Sequence, residues 1–380
     1  MRITIVIAGL AGGGAERVAV NLANAWSNRG YQTTVLTLSQ NGRPSAYKID
    51  ESVAVRDVGW PRGGREYELN GSAVAPIVRG FYANDSTILM PDITMLALLR
   101  FAILRTEPDV VVSFITQTNV RVLAALNESK VPVIPCEVTD QRRIDMGNWK
   151  RPRDMYYRHA AHVVATDPVI ADWLSARGAK AISIHNPLHT PPTPISPKQN
   201  MRKRVITMSR LSMEKRVEWI VRAFASLAEN HPDWDLEIYG YGPQQNFLEH
   251  LAEDLAPPTR IRVCRFCRDS YRILSDAHIF VSASWIEGYG NSIWEALACG
   301  VPVIAIDAGP SIRRLVRHEV DGLVINGEGV PELAAALERL MSDDVERERF
   351  AANAPDVVKR FSMQAALQQW NELLAPFHTR

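Results

Sequence analysis

Residues 285–300 read WIEGYGNSIWEALACG, and an apolar run lies on each side of them, HIFVSA at 278–283 and VPVIAI at 301–306. The parse is strand, glycine-rich loop, helix, strand. It puts Glu287 in a loop at the carboxyl end of a strand. Gly288 and Gly290 follow, then the small polar pair Asn291 and Ser292. Glu295, separated from Glu287 by seven residues, falls in the first turn of the helix. In open α/β sheets that edge is where ligands bind. Helix N-termini there present backbone amides to anions. Two acids beside amides suit a ligand that carries both phosphate and hydroxyls. A purely structural reading competes, because Ser292-x-x-Glu295 is also a capping box and Glu287 reads equally well as an exposed loop acid.

The same alternation extends in both directions. RITIVIA at 2–8 is a buried strand, the turn through Gly9, Gly12, Gly13 and Gly14 leads into an amphipathic helix over 16–28, and 32–38 is the next strand. Such a βαβ unit predicts a parallel sheet. A dinucleotide site is excluded, since G-x-G-x-x-G spacing is absent and Ser39 and Gln40 stand where an acid would hold a ribose. Residues 41–87 read as an irregular insertion, and 92–105 as a helix that is apolar on more than one face and either packs on the sheet or faces a membrane. Strands at 110–114, 131–136, 162–166 and 181–185 complete a first domain. Residues 186–203 hold five prolines without periodicity and read as a linker. Alternation restarts at 205. The expected division is 1–187, a linker at 188–203, 204–361, and a terminal helix within 362–380 that packs back on the first domain.

Composition narrows the function. A formal net charge of +1 over 380 residues argues against bulk nucleic-acid binding. MRITIVIAGLAGGG reads as a strand and turn rather than a signal peptide. The apolar stretch 88–104 is interrupted by Pro91, Asp92 and Arg100 and is too short to span a bilayer. Four scattered cysteines fit a reduced, cytoplasmic setting. Cys264-x-x-Cys267 lacks a second pair for zinc, His159 and His162 read as a surface pair, and Asp233-Trp234-Asp235 reads as a turn rather than a metal motif. Residues 142–158 are basic with interleaved aromatics. They read as a solvated helix face or as a patch drawn to anionic headgroups.

Arg210 ends the first strand of the second domain, VITMSR, and Lys215 opens the next helix. Both lie at the same edge as Glu287. Two cations near a helix N-terminus neutralise a diphosphate and stabilise charge on a departing phosphate. The bland alternative, a surface Arg and Lys, is weakened because helix N-termini favour acids over lysine.

These residues resemble family 4 of the retaining glycosyltransferases, in its bacterial polysaccharide-assembly branch. The carriers are SRLSMEKR at 209–216, IYGYGP at 238–243, EGYGNSIWEALACGVPVIA at 287–305 and DGLVI at 321–325, with GGGAERVAVNLA at 12–23 and SFITQTNVRVLAAL at 113–126. The resemblance implies an α/β GT-B fold, two Rossmann-like parallel-sheet domains facing each other across a cleft. It implies that Arg210, Lys215 and Glu287 are catalytic. Arg210 and Lys215 would hold a donor diphosphate, Glu287 the donor sugar, and Glu295 the ribose. Gly240, Gly242, Phe266, Cys267, Tyr289, Gly290, Asn291 and Ser292 would line the donor site. Gly13, Gly14, Gln117, Asn119, Arg142 and Arg143 would fall on the acceptor side. Two departures stand out: Gln117 and Asn119 occupy a segment where many members carry a histidine, and Arg314 stands where the branch usually has an acid.

The expected reaction moves a hexose or N-acetylhexosamine from a UDP- or GDP-linked donor to a glycan or polyprenyl-diphosphate-linked acceptor. It needs no metal or other cofactor and runs at the cytoplasmic membrane face in peripheral contact with anionic lipid. An epimerase on the same fold and a non-catalytic nucleotide-sugar-binding regulator are the rival readings.

Overall fold

A computed structural model describes residues 1–40, 42–59, 93–143, 146–191, 202–255, 260–267, 269–327 and 329–378. The chain divides into two compact units, one of 1–187 with 364–380 and one of 188–363. Most of the expected insertion at 41–87 and of the expected linker at 188–203 lies outside the described residues.

The first unit is built on seven strands: β1 (Arg2–Ile7), β2 (Gln32–Thr37), β3 (Ala54–Asp57), β4 (Val110–Phe114), β5 (Val133–Glu137), β6 (Val163–Ala165) and β7 (Ala181–Ser183). Their order is β3-β2-β1-β4-β5-β6-β7, and the pairings are parallel. Ile3, Ile5, Val6 and Ile7 are fully buried, as a central parallel strand covered on both faces requires. In the helix Gly14–Ser27, Val18, Leu22 and Trp26 recur every fourth residue and turn inward. Trp26 meets the edge of Trp370, from the helix Met363–Leu374, with ring centroids 5.4 Å apart.

Two expectations are corrected in this unit. Residues 54–57, assigned to the irregular insertion, form the edge strand β3, paired with β2 from Thr34–Ala54 to Thr37–Asp57. The exposure of all four β3 residues explains why no apolar pattern marks them. The basic stretch at 142–158 is not a uniformly solvated face either. Arg153, Tyr156 and Tyr157 are buried, and Arg153 lies over the Trp173 ring, so the aromatics pack the core. The helix Ile93–Leu104 buries Leu96, Leu99 and Ile103 and leaves Phe101 and Leu104 exposed. Among the described residues no helix is long and apolar enough to cross a membrane.

The second unit has six strands, β8 (Lys203–Met208), β9 (Trp234–Tyr239), β10 (Ile261–Cys264), β11 (Ile279–Ser282), β12 (Val303–Ile306) and β13 (Gly322–Ile325), in the order β10-β9-β8-β11-β12-β13 and all parallel. Trp234 and Asp235 open β9, which corrects the turn expected there. Asp235 is buried because Arg202 and Arg260 close on its carboxylate at 2.8 and 3.2 Å. Beyond β9 the chain passes close over the loop that leaves β8. A Cβ on Gly240 would stand 2.0 Å from the Ser209 carbonyl oxygen, and one on Gly242 would stand 2.2 Å from that of Leu211. The contacts are with backbone, so neither position admits a side chain. Leu211 N–H donates to the Tyr241 carbonyl at 2.9 Å, which locks the two loops together. Gly240→Ala is therefore expected to destabilise the fold by about 2 kcal/mol, seen as a lower unfolding midpoint in urea.

Candidate functional site

In the second unit the strand order reverses between β8 and β11. The two loops that leave their carboxyl ends diverge there and open a crevice, the usual ligand site of a doubly wound sheet. The loop after β8 carries Arg210 and Lys215. The loop after β11 carries Glu287. Arg210 is exposed in that loop, two residues past the strand end, and Lys215 closes a single 3-10 turn, Met213–Lys215, ahead of the helix Val217–Ala225.

Lys215 and Glu287 meet directly, with Nζ to Oε1 at 2.5 Å and about four-fifths of each side chain buried, at 19% and 16% exposure. The Ser284 hydroxyl donates to the same Oε1 at 2.8 Å. The Trp285 amide donates to the Glu214 carbonyl at 3.1 Å. The two loops are thus tied by backbone as well as by charge. Burial pushes the Glu214 carboxyl up, but the Ser212 hydroxyl at 2.6 Å, with Lys215 and Arg210 nearby, holds it below its ordinary range.

The helix Asn291–Ala298 begins at Gly290, whose φ of 88° suits glycine, and no side chain caps it. The capping-box reading is thereby corrected: Ser292 lies inside the helix rather than at its cap. Glu295 is also one turn further in than expected, in the second turn, and is only 2% exposed. Asn291 and Ser292 are half-buried at the helix start. The Tyr289 phenol is turned into the core beside Phe361, and burial pushes its pKa far up, so only its backbone faces the loop. Phe266 is half-buried and meets the exposed Tyr241 edge-on at 5.9 Å, and Cys267 is a half-buried free thiol nearby in sequence. Among the described residues no group of three or more histidines, cysteines or acids is placed to hold a metal ion.

In the first unit the residues assigned to the acceptor side separate. Gly13 caps the helix Gly14–Ser27, and its carbonyl accepts from the Tyr47 hydroxyl at 3.1 Å. Gly14 is exposed and Gln117 half-buried. Arg142 is held by Asp140 through two bonds of 2.8 and 2.7 Å, while Arg143 is exposed. Asn119 is fully buried, and its amide donates to the Cys136 carbonyl and the Tyr157 hydroxyl, both at 3.0 Å. That sets it inside the core rather than on an open face.

Reading the sequence misses a buried carboxylate next to Asn119. Glu137, at the carboxyl end of β5, is 1% exposed. It accepts from Thr116 at 2.9 Å, Gln141 at 2.8 Å and Tyr157 at 2.8 Å. Burial raises its pKa to about 7 against the pull of those donors and of Arg153. The signal available in the sequence is an acid closing the apolar run VPVIPCE at 131–137. Ser284 is missed as well. Its signal is the three-residue spacing to Glu287, which a tight loop turns into a contact.

Two family models match the chain, one described as a glycosyl transferase 4-like domain over residues 13–187 and one as glycosyl transferases group 1 over residues 193–357. The chain is 24% identical over 380 residues to a Campylobacter jejuni α-1,4-N-acetyl-D-galactosaminyltransferase named for an undecaprenol-diphosphate-linked glycan, covering 99% of this chain and 98% of the relative. It is 27% identical to a lipopolysaccharide core biosynthesis glycosyltransferase of Rhizobium meliloti, covering 95% and 94%. Against other curated relatives the match spans 20%, 54% and 34% of the relative's length. The crystal structure of Anabaena HepE in complex with UDP-glucose shares the fold, with a TM-score of 0.76 at 20% identity and coverage of 99% and 100%. With its two sheets doubly wound and its two halves matched in turn by these models, the chain belongs to the family 4 type of glycosyltransferases with the GT-B fold.

Proposed function

We propose that the chain transfers a hexose or N-acetylhexosamine from a nucleotide-diphosphate sugar to a hydroxyl of a glycan acceptor that is itself lipid-linked, in the assembly of a bacterial surface polysaccharide. The observation that carries this reading is the Lys215–Glu287 pair at the reversal point of the second sheet, beside Arg210 and a helix start without a side-chain cap. An anion and a polyol are the two chemistries such a set can hold together. The C. jejuni relative is named for an acceptor on a polyprenyl diphosphate, and the HepE structure contains a UDP-sugar, which favours this donor and acceptor class.

Lys215 and Glu287 satisfy each other. A diphosphate offers Lys215 a denser negative charge than one carboxylate, and the sugar hydroxyls offer Glu287 donors in return. Donor binding thus exchanges one ion pair for two sets of contacts. The C1–O bond to the β-phosphate then breaks, and charge builds on the leaving diphosphate. Arg210, Lys215 and the amides of helix 291–298 stabilise that charge without a metal. The acceptor oxygen bonds to C1, and its proton passes to a phosphate oxygen of the leaving group. Attack from the leaving-group face retains the α configuration. Ser284, fixed on Glu287, limits the rotation of that carboxylate during the exchange.

The assay is nucleotide release from a panel of UDP- and GDP-sugars, with and without an undecaprenyl-diphosphate-linked glycan. Acceptor-dependent release is expected. Sugar isomerisation without acceptor would mean an epimerase, and binding without turnover would mean a regulator. Arg210→Ala and Lys215→Ala are each expected to lower kcat about a hundredfold or more, with folding checked by circular dichroism. Activity is expected to survive EDTA, and strict metal dependence would contradict the role given to the two cations. Peripheral membrane contact is part of the same proposal and rests on the exposed Lys150 and Arg151. Vesicles containing phosphatidylglycerol should retain the wild-type protein, and Lys150→Glu with Arg151→Glu should release it.

A further inference from the structure

The donor chemistry proposed above makes no use of the buried cluster around Glu137. That cluster sits at the carboxyl edge of the first sheet, beside the point where the strand order reverses between β1 and β4. Thr116 is the first residue of the helix that follows β4, and Glu137 is the last of β5. Three donors hold the carboxylate: the one Thr116 hydroxyl proton is shared between both oxygens, Gln141 reaches Oε1, and Tyr157 reaches Oε2. Gln141 Nε2 also donates to the Thr116 hydroxyl at 3.0 Å. The amide is therefore fixed with its nitrogen inward. Its Oε1 is buried and has no hydrogen-bond partner among the described residues, although the residue is 5% exposed and the next two, Arg142 and Arg143, reach the surface. A buried carbonyl left without a donor is destabilising. A native group left so calls for a reason, and a ligand that supplies the missing donor is one. The turn into the helix is held at Ile115 with φ 74° and ψ 132°, a conformation that a β-branched residue resists. Strain of this kind collects at binding sites.

We infer that the loop after β5 is an acceptor subsite, in which a hydroxyl of the acceptor sugar donates to Gln141 Oε1 and Glu137 is the positioning residue that aims that amide. The inference rests on the glycosyl-transfer reading and adds to it the group that binds the acceptor. Ionised Glu137 takes the Gln141 N–H and keeps Oε1 turned away from the carboxylate. Protonated Glu137 becomes a donor and frees the amide to turn. The titratable and charged groups around it are Tyr157, Arg153 and Cys136, the last two setting a cation and a buried thiol near the carboxylate. Acceptor affinity should therefore rise with pH through about 7, the value to which burial lifts this carboxyl.

The test uses the full chain with UDP present, and methyl α-glycosides of glucose, galactose, mannose, N-acetylglucosamine and N-acetylgalactosamine as probes at millimolar concentration, followed by saturation-transfer NMR. At least one glycoside is expected to bind the wild type. Gln141→Leu is expected to weaken it about tenfold, the worth of one hydrogen bond, with UDP affinity unchanged. Glu137→Gln, which keeps the volume, is expected to bind UDP normally and to lose the pH dependence of glycoside affinity. The subsite is overturned if no glycoside binds the wild type, if Gln141→Leu binds as well as the wild type, or if Glu137→Gln keeps the same pH profile. It is overturned equally if a glycoside complex shows a water on Gln141 Oε1 in place of a sugar hydroxyl. Failure of UDP to bind the wild type would instead sink the donor reading and is measured separately by calorimetry.

Discussion

Lys215 and Glu287 stand 72 residues apart in sequence and 2.5 Å apart in space, and the order of strands in the second sheet brings them together. β8 and β11 are neighbours, but the chain leaves them toward opposite sides of the sheet. Their following loops are the two walls of a gap. A lysine on one wall and a glutamate on the other meet across it. Each partner alone, buried to this degree, would be costly. Together they offset each other's charge across the gap. The glycines at 240 and 242, the serine at 284 and the amide of Trp285 all hold this arrangement in place.

Much of the architecture is legible in the residues. Buried parallel strands are continuous apolar runs, so β1, β4, β8, β11 and β12 announce themselves. So does the glycine-rich passage from β11 into its helix. What escapes is local chemistry that depends on neighbours distant in sequence. The edge strand β3 is exposed at every residue and carries no pattern. Asp235 resembles a turn acid until two arginines from other segments are seen around it. Ser292-x-x-Glu295 has the spacing of a capping box, yet the loop's left-handed glycine moves the helix start back to Asn291 and deprives the pattern of its geometry.

The candidate site shows the same divide. Arg210, Lys215 and Glu287 are readable because charge at a strand's carboxyl end is unusual enough to notice. Asn119 is readable as polar, but its burial is not. Glu137 and Gln141 emerge only when β5 lies against the helix that follows β4 and Tyr157 is folded over both. A carboxylate with a pKa near neutrality is a property of its enclosure and leaves no mark in composition.

The contact between Trp26 and Trp370 bears on how the molecule is made. The first unit needs residues 364–378 to cover the helix that follows β1, yet those residues leave the ribosome after the whole of the second unit. During synthesis the nascent first unit must wait without the cover over Trp26 while about half the chain is still being translated. Its assembly is therefore not vectorial, and chaperone demand should be concentrated in that interval.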